Sequence, residues 1–416
     1  MGSPVRLVIG VDGGGTSTRC VVATLAGDVL GRGHAAGANP RSARAPGANL
    51  LRALTGALVA AGVVPGTSGG LDGPGAEASD PAGPDGGGLS AAGVFGLAGA
   101  SEAGRRVARE LSGWAWRAAG LQGDPVVVPD VLVAFTGATT GPSGAVLVAG
   151  TGAVAARIEN REIVRRGDGY GWLLGDEGSG VWIGRRAVQS ALAALDGRGA
   201  PTVLTSRVLP TLFSRPDVPE PPASAAAAPE TPFSADAPTG RSPSDVPAPA
   251  SSDAPAPASS DVPAPVFSGV PRSASSGGLA ADASAGECAL EGEALAQAIV
   301  AAVYDGEPAR LGLLSPVVEA AAREGDQVAL AILDDAARCL LHTLEAVTPD
   351  PSLPVVLAGS LLTNPTLVAG IVRAALPGRP LLVSRQAAAG AAALALRATS
   401  LSEPEITAAH RRLIAL

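Results

Sequence analysis

The chain has 416 residues, of which 46% are hydrophobic, so its length and composition allow two cores of ordinary size. Its formal net charge is −8 and it has no basic cluster, which argues against nucleic acid or an anionic membrane as a partner. All 30 cationic residues are arginine, so the lysine of a Walker loop and that of protein kinases are both missing.

Two strands joined by a glycine turn are predicted first. Residues 8–12 form an apolar run that ends in Asp12, the turn is Gly13-Gly14-Gly15-Thr16, and residues 18–25 resume as a strand. Glycines carry no Cβ, so backbone N–H groups can point into an anion, and Asp12 could share a Mg²⁺ with it. The stretch predicts a phosphate clamp, with an ordinary tight hairpin as the alternative. A dinucleotide fingerprint is excluded because a strand follows instead of a helix.

The elements that follow predict an α/β domain. They are a strand at residues 29–36, a helix at 48–61, a flexible Gly- and Pro-rich insertion at 65–88, a strand at 94–97, a helix at 105–119 and a strand at 126–128 that stops at Pro129-Asp130.

A second strand, glycine turn and strand begins at residue 145. The strands are residues 145–149 and 153–158, and the turn is Gly150-Thr151-Gly152. A glycine-rich loop at 167–180 then leads into a helix at 181–195. Ser179 is the predicted N-cap of this helix. The opening pattern is therefore repeated.

Residues 214–286 have a different composition. Three eight-residue repeats rich in Pro, Ala and Ser occupy residues 244–267, with one Asp in each repeat. Such a segment has too few large apolar groups to repay the entropy of folding. A disordered insertion that acts as an inert tether is predicted.

The C-terminal part predicts a third glycine turn between a strand and a helix. Helices are predicted at 291–304 and at 316–347 with a break at 324–326, a strand at 355–358, the turn at Gly359-Ser360, a helix at 367–376, a strand at 381–383 and a closing helix at 390–398.

Three glycine turns around one cleft would suit a nucleotide, and the pattern resembles the actin, hexokinase and Hsp70 superfamily. It is most similar to the N-acetylglucosamine kinase-like branch of the BadF/BadG/BcrA/BcrD ATPase family. The most specific match is residues 169–184, G-Y-G-W-L-L-G-D-E-G-S-G-V-W-I-G. The resemblance implies two duplicated actin-like (ribonuclease H-like) domains around a nucleotide cleft, at 1–134 plus 389–416 and at 135–388.

The resemblance also implies a role for individual residues. The ATP contacts would be Gly13, Gly14, Gly15, Thr16, Thr151, Gly152, Gly312, Gly359, Ser360 and Asn364. The sugar contacts would be Asn39, Asp130, Gly169, Tyr170, Gly171, Asp176 and Glu177. Asp12 would hold Mg²⁺, and Asp130 would also accept the proton of the sugar hydroxyl. On the residues alone, Asp130 could equally cap a helix, and Asp176 with Glu177 could place favourable charge before one.

Three positions depart from the family pattern. Ala153 and Ala98 stand where hydroxyl-bearing residues are usual, so each removes a potential hydrogen bond to phosphate. Val131 follows Asp130 where a small residue is usual.

The expected function is ATP-dependent phosphorylation of the 6-hydroxyl of N-acetylglucosamine in amino-sugar salvage. A small amino sugar is the expected partner, and homodimerisation is left open. No signal peptide is recognised, so a cytoplasmic location is expected. Glucosamine and N-acetylmuramate are alternative substrates, and a sugar sensor without turnover is a further alternative.

The family also includes ATPase activators of 2-hydroxyacyl-CoA dehydratases, which hold an iron–sulfur cluster. This role is disfavoured because Cys20, Cys288 and Cys339 lie far apart, without C-x-x-C spacing. The same cysteine spacing and the scattered histidines argue against a zinc site.

Overall fold

The computed structural model describes residues 6–40, 43–63, 89–100, 104–213, 282–348 and 350–415, with backbone alone for 282–290. The insertion predicted at 65–88 lies outside these ranges. Residues 214–281 of the insertion predicted at 214–286 also lie outside them. Met1–Ser214 and Cys288–Leu416 belong to one compact unit. The boundaries proposed near residues 134 and 388 stay predictions.

Sheet 1 is formed by five strands of the N-terminal half. They are β1 (Leu7–Gly13), β2 (Ser17–Thr24), β3 (Val29–Ala36), β4 (Ala91–Leu97) and β5 (Val126–Pro129). The strand order is β3-β2-β1-β4-β5, with β1, β2 and β3 antiparallel and β4 and β5 parallel to β1. The carboxyl ends of β1, β4 and β5 therefore meet at one edge.

Sheet 2 repeats this arrangement. Its strands are β6 (Gly144–Ala149), β7 (Ala153–Glu159), β8 (Glu162–Asp168), β9 (Val355–Ala358) and β10 (Leu381–Val383). The order is β8-β7-β6-β9-β10, again with three antiparallel strands and two parallel to the first. The predicted α/β fold with two duplicated sheets is confirmed.

The helices lie mostly where the sequence predicts them. They are α1 (Pro46–Ala60), α2 (Arg105–Ala118), α3 (Asp130–Thr136), α4 (Gly180–Leu195), α5 (Leu204–Phe213), α6 (Asp282–Tyr304), α7 (Ser315–Arg323), α8 (Gln327–Val347), α9 (Ser360–Thr363), α10 (Leu367–Ala374), α11 (Ala387–Leu396) and α12 (Glu403–Ile414). A 3₁₀ helix occupies Pro308–Leu314. The predicted cap of α4 is present, since Ser179 Oγ accepts the N–H of Trp182.

Two expectations about the helices were wrong. The helix α6 begins at Asp282 and not at residue 291, so the helix includes residues 282–286 of the predicted insertion. Its first residues are mostly small, and they therefore show no apolar stripe by which a helix could be recognised. The helices α5, α9 and α12 were not predicted, and a helix at α3 was considered only as the alternative interpretation of Asp130. The helix α5 contains Pro210, which normally argues against a helix.

Helices cover both faces of each sheet. One face of sheet 1 packs against α1 and α2, and its other face packs against α11 and α12. The helix α3 joins two cores: Val133 packs with sheet 1 and α11, whereas Val131 and Phe135 pack against sheet 2. The other face of sheet 2 is covered by α4, α5, α7, α8 and α10. The start of α3 is thus fixed relative to both sheets.

The helix α11 lies directly on the backbone of β1. A Cβ atom on Gly10 would lie 2.1 Å from the carbonyl oxygen of Ala388 and 2.2 Å from the nitrogen of Ala392. Alanines make up most of this helix, which allows such a close approach. This contact sets the distance between α11 and sheet 1.

Within the described ranges, no helix combines the length and the apolar character needed to cross a bilayer.

Candidate functional site

The glycine turns of the two sheets meet. The turn between β1 and β2 carries Thr16, and the turn between β6 and β7 carries Thr151; the Oγ1 atoms of these threonines lie 3.4 Å apart, with Thr151 donating. A Cβ atom on Gly15 would lie 3.4 Å from Cβ of Thr151. Because neither turn has bulky side chains here, backbone N–H groups and hydroxyls line the space between the sheets.

Neighbouring segments hold the first turn. The carbonyl oxygen of Gly14 accepts the N–H groups of Ala38 and Asn39, at 3.0 and 3.2 Å. The carbonyl oxygen of Gly13 accepts the N–H of Ala98 at 2.9 Å. The backbone of Asn39, a predicted sugar contact, is therefore attached to the predicted phosphate turn.

The third turn adjoins the second. Gly359 has a φ of 81°, a left-handed conformation that favours glycine. A Cβ atom on Gly150 would lie 3.8 Å from Cα of Gly359 and 3.9 Å from Oγ of Ser360. Asn364 lies one helical turn further on, and its N–H donates to the carbonyl oxygen of Ser360 at 3.3 Å.

The N-terminus of α4 also reaches the second turn. The N–H of Gly180 donates to the carbonyl oxygen of Gly150 at 2.7 Å. Gly312, on the 3₁₀ helix, approaches the same place, because a Cβ atom on Gly180 would lie 3.8 Å from Cα of Gly312. The structure thus brings Gly312 beside the turns, although the sequence indicated it only weakly.

Asp12 and Asp130 lie at one edge of sheet 1. Asp12 pairs with Gly96 in the register, and Leu97 pairs with Pro129, so β4 alone separates the strands that carry the two carboxylates. The pKa of Asp12 is raised to about 7, mainly by burial and also by the Asp130 carboxylate, while the Arg19 guanidinium opposes the rise. Carboxylates in such surroundings are suited to a cation.

Asp130 is the first residue of α3. Its Oδ1 atom accepts the N–H of Val131 at 2.9 Å, and its charge lies favourably in the first turn. The N-cap of α3 is Pro129, so Asp130 does not have the capping role that the alternative interpretation gave it. Burial raises the pKa of Asp130, and the guanidinium of Arg166 and the Val131 N–H lower it. The helix-terminus role leaves the second carboxylate oxygen available for chemistry.

Asp176 lies in the glycine-rich loop between β8 and α4. Its φ is 55°, and its carboxylate accepts the N–H groups of Ala153 and Gly171. A Cβ atom on Gly152 would lie 2.8 Å from Asp176 Oδ2. Burial raises the pKa of Asp176 to about 6, and the nearby Asp168 carboxylate adds to the rise. This predicted sugar contact therefore lies against the second phosphate turn.

Two other predicted sugar contacts, Tyr170 and Glu177, have exposed side chains. Gly169 and Gly171 belong to the same loop, and both have a positive φ. Their roles stay predictions.

Sequence reasoning missed three charged residues near the site. Arg19 pairs with Asp12 across the first hairpin. Arg166 and Asp168 end β8, just before the glycine-rich loop, and Arg166 acts on both Asp130 and Asp176 through its charge. For Arg166 and Asp168, the available signal was a pair of arginines and an aspartate, Arg165-Arg166-Gly167-Asp168, at the start of the glycine-rich loop.

Curated relatives match part of the chain. A segment of 93 residues is 34% identical to an N-acetylmuramic acid/N-acetylglucosamine kinase of Clostridium acetobutylicum, and covers 22% of this chain and 30% of the relative. A segment of 84 residues is 37% identical to an N-acetyl-D-glucosamine kinase of Dictyostelium discoideum, and covers 20% and 26%. The matched segments thus span less than a third of these relatives.

Solved structures match nearly the whole chain. A candidate N-acetylglucosamine kinase from Chromobacterium violaceum superposes with a TM-score of 0.56 and 22% identity, covering 94% of this chain and 99% of the other. A candidate N-acetylglucosamine kinase from Porphyromonas gingivalis gives a TM-score of 0.51 and 16% identity, covering 97% and 98%. At these identities the likeness concerns the fold. The model of the BadF/BadG/BcrA/BcrD ATPase family matches residues 9–395, and the chain therefore belongs to this family.

Proposed function

We propose that the protein is a sugar kinase that transfers the γ-phosphoryl group of ATP to the 6-hydroxyl of N-acetylglucosamine. The observation that carries the proposal is the convergence of Thr16 and Thr151, 3.4 Å apart, beside Asp12 and Asp130. Glycine turns with hydroxyls suit a polyphosphate, and a half-buried carboxylate suits an alcohol that must lose a proton.

In this proposal separate groups of residues bind the phosphates, the nucleoside and the sugar hydroxyl. N–H groups of Gly13 to Thr16 and of Gly150 to Gly152 bind the phosphates, and Ser360 and Asn364 lie on the nucleoside side. The sugar oxygen attacks the γ-phosphorus. The bond between the γ-phosphorus and the oxygen that bridges it to the β-phosphate breaks, which releases ADP. The hydroxyl proton passes to Asp130, which directly follows β5 at the carboxyl edge of sheet 1.

A divalent cation fits the donor set at this site. The Asp12 carboxylate lies beside Asp130 in surroundings that disfavour its charge, so a cation nearby would stabilise it. When bound, Mg²⁺ would neutralise charge on the β- and γ-phosphates. We propose Asp12 as the residue that holds it, because Mg²⁺ commonly takes one or two protein carboxylates together with phosphate oxygens.

The choice of an amino sugar is supported by the loop that carries Asp176. Its carboxylate is held against Gly152, and the loop leads directly into α4. Asn39 is attached to the first turn and adjoins Gly99, since a Cβ atom on Gly99 would lie 2.9 Å from Asn39 Oδ1. Asn39 and Asp176 could therefore contact one sugar from two sides. Both relatives named above act on N-acetylglucosamine by name, which favours the acetylated sugar.

An ADP-release assay with N-acetylglucosamine, glucosamine, N-acetylmuramate and glucose tests the proposal. We expect the highest kcat/KM with N-acetylglucosamine and a 6-phosphate product by phosphorus NMR. Higher kcat/KM with N-acetylmuramate or glucosamine would change the substrate and keep the reaction. Absence of sugar-dependent ADP release with all four sugars would reject the sugar kinase.

A further inference from the structure

Asp168, the last residue of β8, holds the glycine-rich loop at both of its ends. Its Oδ1 atom accepts the N–H of Gly169 at 2.7 Å and the N–H of Asp176 at 2.8 Å. Its Oδ2 atom accepts the N–H of Glu177 at 2.8 Å. A single carboxylate thus closes the nine-residue loop 169–177 through three charge-assisted hydrogen bonds.

The loop needs such an anchor because its backbone is strained at both ends. Asp168 and Asp176 have φ values of 59° and 55°, in the left-handed region that residues other than glycine adopt at an energetic cost. Arg166 supports the same corner, since its Nη2 atom donates to the carbonyl oxygen of Gly169 at 2.9 Å. The hydrogen bonds to Asp168 offset this strain at the residues where it occurs.

The anchor determines where Asp176 lies. The N–H of Asp176 is bound to Asp168, while its own carboxylate accepts the N–H groups of Ala153 and Gly171. If Asp168 no longer accepted this N–H, the left-handed backbone of Asp176 would relax and its carboxylate would move away from Gly152.

We propose that Asp168 is a positioning residue for the sugar, which acts by holding the loop 169–177 so that the Asp176 carboxylate faces the second glycine turn. The inference rests on the proposed function, because it takes Asp176 as a sugar contact. A preformed loop spares the substrate the cost of ordering it, so the effect of Asp168 should appear in sugar binding.

Gly175 offers a second way to disturb the same anchor. A Cβ atom on Gly175 would lie 2.1 Å from Asp168 Oδ1, so Gly175→Ala must displace the carboxylate without removing it. Asp350 offers a matched control, because its carboxylate accepts the N–H and the hydroxyl of Ser352 in a turn before β9. That turn lies at the opposite end of β9 from Gly359.

The experiment compares Asp168→Asn, Gly175→Ala and Asp350→Asn with the wild type in steady-state kinetics on N-acetylglucosamine. We expect both loop variants to raise the sugar KM by about tenfold, which corresponds to the loss of about one charged hydrogen bond. The ATP KM and the circular dichroism spectrum should stay unchanged, and kcat should fall by less than about threefold. Asp350→Asn should leave all parameters unchanged.

Hydrogen exchange of peptides covering residues 169–177, without substrate, gives a readout that is independent of activity. Both loop variants should exchange faster there than the wild type, and Asp350→Asn should not. Faster exchange together with an unchanged sugar KM would overturn the inference, and so would unchanged exchange. A wild type without sugar turnover would instead reject the proposed function, and with it the substrate role of Asp168.

Discussion

At the scale of single residues, the site combines two carboxylates whose charged forms are disfavoured. Asp12 and Asp130 both have raised pKa values, for which burial is the main cause. A folded-state pKa above the unfolded value means that the folded protein retains a proton which the unfolded chain releases, so stability falls as pH rises through that window. For Asp12 the window runs from about 4 to about 7. The protein therefore gives up stability to hold acids in its cleft.

The first prediction concerns Asp130. Asp130→Asn should lower kcat by about 10²- to 10⁴-fold, because the amide cannot accept the hydroxyl proton. Sugar binding, measured by the sugar-induced thermal shift, should persist, since an amide can still form a hydrogen bond to a hydroxyl. Asp124→Asn, at an exposed ion pair with Arg117, is the control and should retain activity. Turnover near the wild-type rate in Asp130→Asn would show that another group takes the proton.

The second prediction uses the charge of Arg166. Arg166 lowers the pKa of Asp130, so Arg166→Gln should raise this pKa. Because the deprotonated carboxylate is the active form, the acidic limb of the kcat profile should move to higher pH. Arg165→Gln is the control: Arg165 precedes Arg166 on β8, and adjacent side chains of a strand point to opposite faces. If the pH profile of kcat were the same in Arg166→Gln and Arg165→Gln, Arg166 would not be the residue that lowers the pKa of Asp130.

At the scale of elements, the glycine turns and the strands beside them could be predicted from the sequence. Each turn follows an apolar strand and lacks bulky side chains, so local composition is enough to indicate it. The helices α3 and α5 could not be predicted in this way. The helix α3 has seven residues and is stabilised by two cores, and α5 is helical despite Pro210. Their stability comes from tertiary packing, which local propensity does not record.

The third prediction tests the close packing of α11 on β1. Gly10→Ala should destabilise the protein by about 1–3 kcal/mol, because the added methyl group meets the backbone of α11, which cannot rotate away. The same substitution at Gly370, in α10, is a matched control. No atom lies within 4 Å of a Cβ there, so Gly370→Ala should be neutral or stabilise by up to about 1 kcal/mol. Thermal midpoints check both, and equal midpoints for the two variants would contradict the packing argument.

At the scale of the whole molecule, the site could be predicted only in part. The sequence pattern indicated three backbone-lined turns and Asp12 beside the first of them, and the resemblance supplied Asp130 and Asp176. The structure adds that the turns meet at Thr16 and Thr151 and that Arg166 acts on acids from both halves of the chain. The contact between the β1–β2 turn and the β6–β7 turn joins Thr16 and Thr151, which are 135 positions apart. No local sequence pattern encodes such a contact.

The fourth prediction concerns the repeats at residues 244–267, which lie outside the described residues. Their sequence has few large apolar groups, and the four hydrophobic clusters of the described residues form without them. Deleting residues 244–267 should leave the sugar KM and kcat within about twofold of the wild type, since the tether that the composition predicts would tolerate a change of length. A scrambled repeat of equal length is the control. A folded deletion variant without activity would reject the role of an inert tether.

The two sheets have the same strand order, and this bears on the orientation of a linear ligand between them. The turn V-D-G-G-G of β1 has its counterpart in V-A-G-T-G of β6, where Ala149 stands in place of Asp12. The strand β5 is followed by Asp130, whereas its counterpart β10 is followed by Ser384 and Arg385. At these corresponding positions the backbone frame is thus nearly symmetric, whereas the charges differ. We expect a linear polyanion between the halves to meet Asp12 and Asp130 at one pair of positions and Arg385 at the other, so charge, and not backbone shape, would distinguish its two orientations.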